Sequence, residues 1–421
     1  MSLKNKYDII VVGGGFAGAA AAISAGRLGK SVLLIEKYNC MGGAACYDLV
    51  NPFMPYATTD PESGERIDLS CGLFTEIVDR LRTLGGAKHE KRSLPFNEEV
   101  LKYLLNTMAL ESGVELLYQT YVTGVQRDGQ RIKSVVISNI SGNSEIEADC
   151  FIDATGDANL AVMSGCPYQL GRESDNLCQP MTLCFRLAGV KGYDADLKAR
   201  INSLYSEYQT AGKIKNPREN VLIFKTLVED ILHFNTTRVV KLDPTNASDV
   251  TKAEIIARDQ VFEMYNFLRE NFEEFKDSTL ISTGIQIGVR ESRMIKGEYV
   301  LTKNDLLSCK RFEDSIAVCN YDIDIHSPDG SGTSHYYFPK GEYYTIPYRC
   351  LIPQNIENLL VAGRCVSADH DAQASLRIMP TCATLGEAAG IAASIAPDGI
   401  VRNVDVSRLQ EILKDNGAKI D

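Results

Sequence analysis

The sequence predicts an α/β fold in which a parallel sheet, covered by helices, is interrupted by an inserted mixed α+β segment. Three observations predict it. Residues 7–36 read as strand, glycine turn, helix, strand and acid. Near residue 360 a short apolar strand ends in glycine and leads into a helix rich in alanine and glycine. Between these stretches the pattern gives way to short strands and polar helical runs. At 421 residues the chain exceeds one ordinary core, so two domains or one large domain with insertions are expected.

Ile9 to Val12 is an apolar run of strand length. Gly13, Gly15 and Gly18 then fit G-x-G-x-x-G. Gly13 permits the tight turn, Gly15 lets a pyrophosphate approach the backbone, and Gly18 lets the next helix lie close on the sheet. The small-residue helix AGAAAAISAGRLG ends near Gly29, and SVLLIE is a second buried strand. Glu36 ends that strand where an acid binds a ribose hydroxyl. The helix N-terminus offers free N–H groups and a positive dipole end to phosphates. This order is the dinucleotide fingerprint of a Rossmann-like sheet, and alone it does not separate NAD from FAD. The next glycine pair, Gly42 and Gly43 in EKYNCMGGAA, supplies the open backbone that a larger cofactor needs beyond its pyrophosphate.

Further along, QTYVTGVQRDGQRIKSVVI reads as a hairpin around Asp128-Gly129, and residues 70–116 as mainly helical. QPMTLCFRLAGV is a strand, DQVFEMYNFLRENFEEF a helix, and EDILHFNTTRVVKLDPTNASD a surface strand and loop. Leu359 to Ala362 is a strand closed by Gly363, and Pro380 is placed to open a helix, where its missing N–H is not needed.

With these motifs in view, the chain resembles FAD-dependent oxidoreductases of the glutathione-reductase-like flavin fold, nearly end to end. The resemblance rests on VVGGGFAGAAAAISAGRLGKSVLLIEK, FIDATGDA, GVRESRMIKGEYVLT and NLLVAGRCVSADHDAQASLRIMPTCATLGEAAG. It implies FAD held by Gly13, Gly14, Gly15, Phe16, Ala17 and Gly18, by Glu36 and Lys37, and by Gly42, Gly43 and Ala44. It carries over to Ala154, Thr155, Gly156 and Asp157, whose plain alternative is a strand-end turn. It also implies adenine contact at the Val122 backbone. At the C-terminal return it places Gly363 and Arg364 over the pyrophosphate and ribityl chain, and Pro380, Thr381 and Cys382 against the flavin N1–O2 edge. Many flavoproteins have an aspartate where this chain has Arg364, so direct pyrophosphate contact is expected of it, with a surface arginine as the alternative. The implied organisation is a flavin domain at 1–160 and 345–421 with a substrate or cap domain at 161–344.

Net charge is −11, which argues against a nucleic-acid groove. No apolar run reaches membrane-spanning length, and the chain opens directly on its first strand, so a cytoplasmic, membrane-free protein is expected. The twelve cysteines form no CxxC pair and no cysteine–histidine zinc pattern. The histidines, His89, His233, His326, His335 and His370, form no close pair, so no metal is expected.

For the chemistry, TLISTGIQIGVRESRMIKGEY reads by period two, with Ser282, Gly284, Gln286, Gly288 and Arg290 on one face. The two glycines leave space in which Arg290 could bind an anionic substrate or reach over a flavin. Glu291 and Arg293 read as paired surface charges. Asp322, Asp324 and His326 share a strand face, and carboxylates beside a histidine raise its pKa and suit it to proton transfer. His335 and Tyr337 could line the same mouth, and His370 and Arg377 stand between the return strand and its helix. Cys40 and Cys46 have C-x5-C spacing interrupted by glycines, unlike the helical C-x4-C of related dithiol enzymes, and read as thiols near the cofactor. Cys382, at a helix start, could have its thiol pKa lowered there, although its backbone N–H suffices to explain its place. The resulting expectation is hydride transfer between flavin N5 and a small polar or anionic substrate, with an unidentified electron partner. A dithiol or NAD(P)H-linked flavin reductase and a non-catalytic flavin electron carrier are the alternatives. No second G-x-G-x-x-G follows a strand in the middle segment, which weakens the former.

Overall fold

The computed structural model describes residues 3–88, 93–330 and 332–421, and His89 lies outside them. In chain order, the elements that position the site begin with β1 (Lys6–Val12), α1 (Phe16–Arg27), β2 (Val32–Ile35), α2 (Leu73–Thr83) and α3 (Glu98–Glu111). There follow β3 (Glu115–Leu117), β4 (Tyr121–Asp128), β5 (Arg131–Asn139) and β6 (Gly142–Asp153). The middle segment contributes β7 (Phe185–Ala188), α4 (Ala195–Thr210), β8 (Ile223–Lys225), β9 (Ile231–Phe234), α5 (Ala247–Asn271), β10 (Thr279–Thr283), β11 (Ile323–His326) and β12 (Thr333–Tyr336). The chain returns through β13 (Leu359–Val361), α6 (His370–Leu376) and α7 (Met379–Ile395).

The main sheet has the order β3-β2-β1-β6-β5-β4, with β13 also on β6. The long strand β6 explains this branching. It pairs parallel with β1 through Val12↔Asp153, antiparallel with β5 through its first half, and parallel with β13 over its last three residues. The parallel strands are covered on both faces, so β2 is buried along its whole length and needs no polar alternation. β4 and β5 form the expected hairpin, with Gly129 at φ +57° in its turn. The sheet is Rossmann-like.

Helix α1 packs across α7, and small residues permit the approach. A Cβ on Gly386 would lie 2.1 Å from the Ala17 carbonyl oxygen, and one on Gly390 would lie 2.2 Å from that of Ala21. The same residues bring the start of α7 beside the first glycine turn. No single helix among the described residues is long and apolar enough to cross a membrane.

The middle segment has its own four-stranded antiparallel sheet, β8-β9-β7-β10, and its own core. Phe185 and Phe234 stack there at 4.7 Å, beneath residues of α4 and α5. Two expectations are corrected here. The stretch from Leu232 to Arg238 is not at the surface: Leu232, His233, Phe234, Thr236, Thr237 and Arg238 are buried because β9 is an inner strand of this sheet. The period-two strand also stops at Thr283. Beyond it the chain leaves the sheet, with Ile285 N–H donating to the Tyr47 carbonyl and Ile287 N–H to the Glu254 carboxylate. Ile285 is therefore exposed and Ile287 buried, although strict alternation would put them on the same face.

Candidate functional site

A cavity of about 1170 Å³, measured to its open mouth, runs from the first glycine turn to the start of α7. Gly13, Gly15, Phe16, Ala17, Glu36, Lys37, Gly42, Gly43, Ala44, Val122, Ala154, Thr155, Gly156, Asp157, Gly363, Arg364 and Cys382 all line it. Gly14, Gly18, Pro380, Thr381, Arg290 and His326 are not among its lining residues.

The glycine turns are shaped by contacts that no side chain could share. Gly13 has φ +98°, and a Cβ there would meet the Ala154 carbonyl oxygen at 2.5 Å. A Cβ on Gly18 would sit 1.8 Å from the Gly13 carbonyl oxygen, so Gly18 serves packing behind the cavity. Gly15 differs: its virtual Cβ meets only the Gly43 Cα, at an ordinary contact distance of 3.8 Å, and both glycines line the cavity with bare backbone. Gly42 N–H donates to the Gly14 carbonyl at 2.8 Å and ties the two turns together. The result is an open cradle between glycine backbones at the N-terminus of α1, suited to a pyrophosphate.

Glu36 closes one end. Its carboxylate accepts from Gly14 N–H at 2.6 Å and Tyr38 N–H at 2.9 Å, so it braces the turn as well as facing the cavity. Burial raises its pKa against these hydrogen bonds. At the other wall, Arg364 donates to Asp157 at 2.6 Å, and Ser292 donates to the same carboxylate at 2.7 Å. Burial works to raise the Asp157 pKa, but Arg364 and Ser292 hold it below its ordinary value. Gly156 has φ +79°, and a Cβ there would lie 3.0 Å from the Arg364 guanidinium carbon. Arg364 Nε is buried without a partner. The open glycine cradle, the buried acid and this unfilled donor together fit the two halves of FAD.

The start of α7 departs from expectation. The helix begins at Met379, one residue ahead of Pro380, and Cys382 N–H already donates to the Ile378 carbonyl at 2.9 Å. Cys382 is therefore not a free backbone donor. The first-turn N–H groups of Met379 and Thr381 lack intrahelical acceptors instead, and Met379 lines the cavity. The Cys382 thiol is not activated, because burial pushes its pKa up to about 12.

The remaining wall adds Asp48, Tyr38, Tyr47 and Met379, which the sequence did not single out, to Gln286 and Arg377, which it did. Gln286 donates to Asp48 at 2.8 Å, and the Tyr38 hydroxyl donates to Gln286. Burial pushes the Asp48 carboxyl up to about 7. The glycines before Arg290 do not leave open space. A Cβ on Gly284 would lie 3.2 Å from the Asp48 backbone, and one on Gly288 would lie 3.0 Å from the Thr182 carbonyl. Their role is to let this segment press against Asp48.

Arg290 is directed away from the cavity, donating to the Pro180 carbonyl at 2.8 Å, Thr182 at 2.5 Å and Asn235 at 3.2 Å. His326 does lie beside Asp324, with Nε2 3.4 Å from Oδ2, but its pKa is not raised. Burial, with the Arg290 charge, outweighs Asp324 and lowers it to about 3, so the ring is neutral. Glu291 and Arg293 are not a surface pair. Glu291 is fully buried and bonded to His370 at 2.7 Å, while Arg293 donates to Asn159 at 2.5 Å. His335 binds Asp322 at 2.5 Å on the β11–β12 hairpin and stacks with Tyr337. Cys40 and Cys46 are hydrogen-bonded thiols, and this bond lowers the Cys40 pKa to about 7 while raising that of Cys46. Both lie behind the glycine cradle, outside the cavity lining.

A family model described as FAD dependent oxidoreductase matches residues 8–413. Digeranylgeranylglycerophospholipid reductase of Sulfolobus acidocaldarius is 29% identical over 165 residues, which cover 36% of this chain and 34% of that protein. The chain thus spans about a third of that relative's length. Vinyl phenol reductase of Lactiplantibacillus plantarum is 54% identical over 47 residues, 11% of this chain and 10% of its own. Among solved structures, a geranylgeranyl bacteriochlorophyll reductase-like protein of Thermoplasma acidophilum aligns over 98% of this chain and 84% of its own, at 13% identity and a TM-score of 0.46.

Proposed function

Since the chain belongs to the FAD dependent oxidoreductase family, we propose that it transfers a hydride between bound FAD and a small polar or anionic substrate seated at the α7 end of the cavity. One observation carries this reading: the nucleotide-binding residues and the polar group Asp48, Gln286, Tyr38 and Arg377 line one continuous cavity. When bound, FAD supplies hydride transfer at N5. The glycine cradle and the α1 N-terminus receive its pyrophosphate, and the free lone pairs of Glu36 receive a ribose hydroxyl. The N–H of Met379 at the α7 start, which lines the cavity, would hold the pyrimidine edge of the flavin.

In this reading the proton role passes from His326 to Asp48. Asp48 lines the cavity and keeps its proton to about pH 7, whereas His326 does neither. Gln286 occupies Oδ1 of Asp48, which leaves Oδ2 to hold the proton. Arg290 is a positioning residue that ties Pro180 and Thr182 beneath the Gly288 segment. An unidentified electron partner completes turnover.

The test is anaerobic mixing of purified protein with a broad panel of small metabolites, followed at the flavin absorbance. Denatured protein should release FAD, and at least one compound should bleach the flavin. Protein that holds NAD tightly and no flavin would sink the reading. Protein that holds FAD, is bleached by no small molecule, and exchanges electrons with another protein would make it a carrier instead.

A further inference from the structure

Behind the α7 end of the cavity lies a buried cluster of arginines and carboxylates. Arg377 lines the cavity and lies 3.6 Å from Asp324 Oδ2. That oxygen is 3.4 Å from His326 Nε2, and His326 Nδ1 is 3.1 Å from Arg238. Arg238 is in turn 3.3 Å from Glu219, which is 3.7 Å from Arg218. Arg290 completes the group, close enough to Arg218 and Arg377 for their charges to lower its pKa in addition to the larger effect of burial. Four guanidinium groups therefore face two carboxylates, Glu219 and Asp324. The neighbouring carboxylates Asp322 and Glu291, hydrogen-bonded to His335 and His370, bring the acids of the cluster to four.

Arg218 and Arg377 are also under-bonded, whereas Arg238 donates to the Gly330 and Gly332 carbonyls and Thr333, and Arg290 to Pro180, Thr182 and Asn235. The Arg218 side chain is 5% exposed, yet its Nε has no hydrogen-bond partner and its ion pair with Glu219 is long. Arg238 and Arg377 each have a buried, unpartnered Nε. The NH2 group of Arg377 has its closest acceptors, Gln179 Oε1 and the Asp324 carbonyl, at 3.4 Å. A guanidinium does not escape burial by losing its proton. Uncompensated buried cations are costly, and an anion with several acceptor lone pairs is the group that completes them. Asp322, Asp324 and His335 also bring three ligand atoms within 4.8 Å of one another, but a divalent cation there would face Arg377 beside the same Asp324.

Resting on the hydride-transfer reading above, we propose that the substrate is a small organic acid whose carboxylate docks on Arg377 from the cavity side. Arg218, Arg238 and Arg290 supply the buried positive charge behind it. A planar carboxylate matches the guanidinium fork of Arg377, the arginine of this cluster that lines the cavity.

The test uses the FAD-loaded protein and isothermal titration with acetate, succinate and inorganic phosphate at low and high salt, with flavin content measured on every sample. Succinate and acetate should bind more tightly than phosphate, and binding should weaken with salt. Arg377→Gln should weaken succinate binding by about tenfold or more, and Arg377→Lys should recover part of the loss. Lys191→Gln, which removes one exposed charge, should leave it unchanged. FAD-loaded wild-type protein that ignores both carboxylates, prefers phosphate, or binds succinate equally well as Arg377→Gln overturns the anion site and leaves the flavin reading standing. Protein that takes up no FAD yet binds succinate through Arg377 does the reverse.

Discussion

Replacing Asp48 with Asn removes a buried ionisable group and keeps its hydrogen bond. Asp48 is 3% exposed, and its Oδ1 accepts from Gln286 at 2.8 Å, a bond the Asn oxygen can also accept. Burial is the largest influence on Asp48 and raises its pKa from 3.8 to about 7. Asp157 pushes in the same direction, while Gln286, Arg364 and Lys37 oppose it. At about 1.4 kcal/mol per tenfold change in proton affinity, this displacement corresponds to about 4 kcal/mol. The folded protein holds the proton more tightly than the unfolded chain does. The associated stability is therefore fully present below pH 3.8 and is lost as pH rises to about 7. Asn does not titrate. Asp48→Asn should nearly match wild type at about pH 4 and exceed it by up to about 4 kcal/mol above pH 7. Urea or thermal unfolding of both proteins across this range, in matched buffers and at equal flavin content, measures the difference. A difference that does not change with pH, or an Asn variant less stable than wild type at about pH 8, would refute a buried, proton-carrying Asp48.

Two glycine substitutions should separate cofactor binding from folding. Gly15 has φ −63° and only the Gly43 Cα, at 3.8 Å, near a virtual Cβ, so Gly15→Val should fold with a normal far-UV spectrum yet lose FAD; retention of flavin would show that the cradle does not receive the pyrophosphate. Gly386→Ala drives a methyl group to 2.1 Å from the Ala17 carbonyl and should cost about 3 kcal/mol by forcing α7 away from α1, read as a lower unfolding midpoint even in cofactor-free protein. An unchanged midpoint would contradict the close helix crossing.

The half of the site nearest the glycine turn was legible in the sequence because it is built from contiguous pieces. Strand, turn, helix and acid follow one another over residues 7–36, and each local choice has a direct geometric meaning: a left-handed φ at Gly13, a close approach at Gly18, a strand-end acid at Glu36. DATGDA and the return at Gly363 were readable as strand ends, and it was the family resemblance that assigned them to the cofactor.

The other half was decided by tertiary structure alone. Asp48 and Gln286 are 238 residues apart in the chain, and Arg364 and Asp157 are 207 apart. Period-two reading carried a strand through Arg290, but alternation does not register that the chain leaves the sheet at Thr283 to pack on Tyr47 and Asp48. The same limit applies to charge. Carboxylates beside His326 imply a raised pKa when the strand is considered alone, and burial among Arg290, Arg218 and Arg238 reverses it. Local sequence thus determined where backbone must approach a dinucleotide. Which side chains are desolvated together, and therefore which of them hold protons or bind anions, depends on long-range packing, because the dielectric surroundings of a group are set by neighbours that the chain order does not reveal.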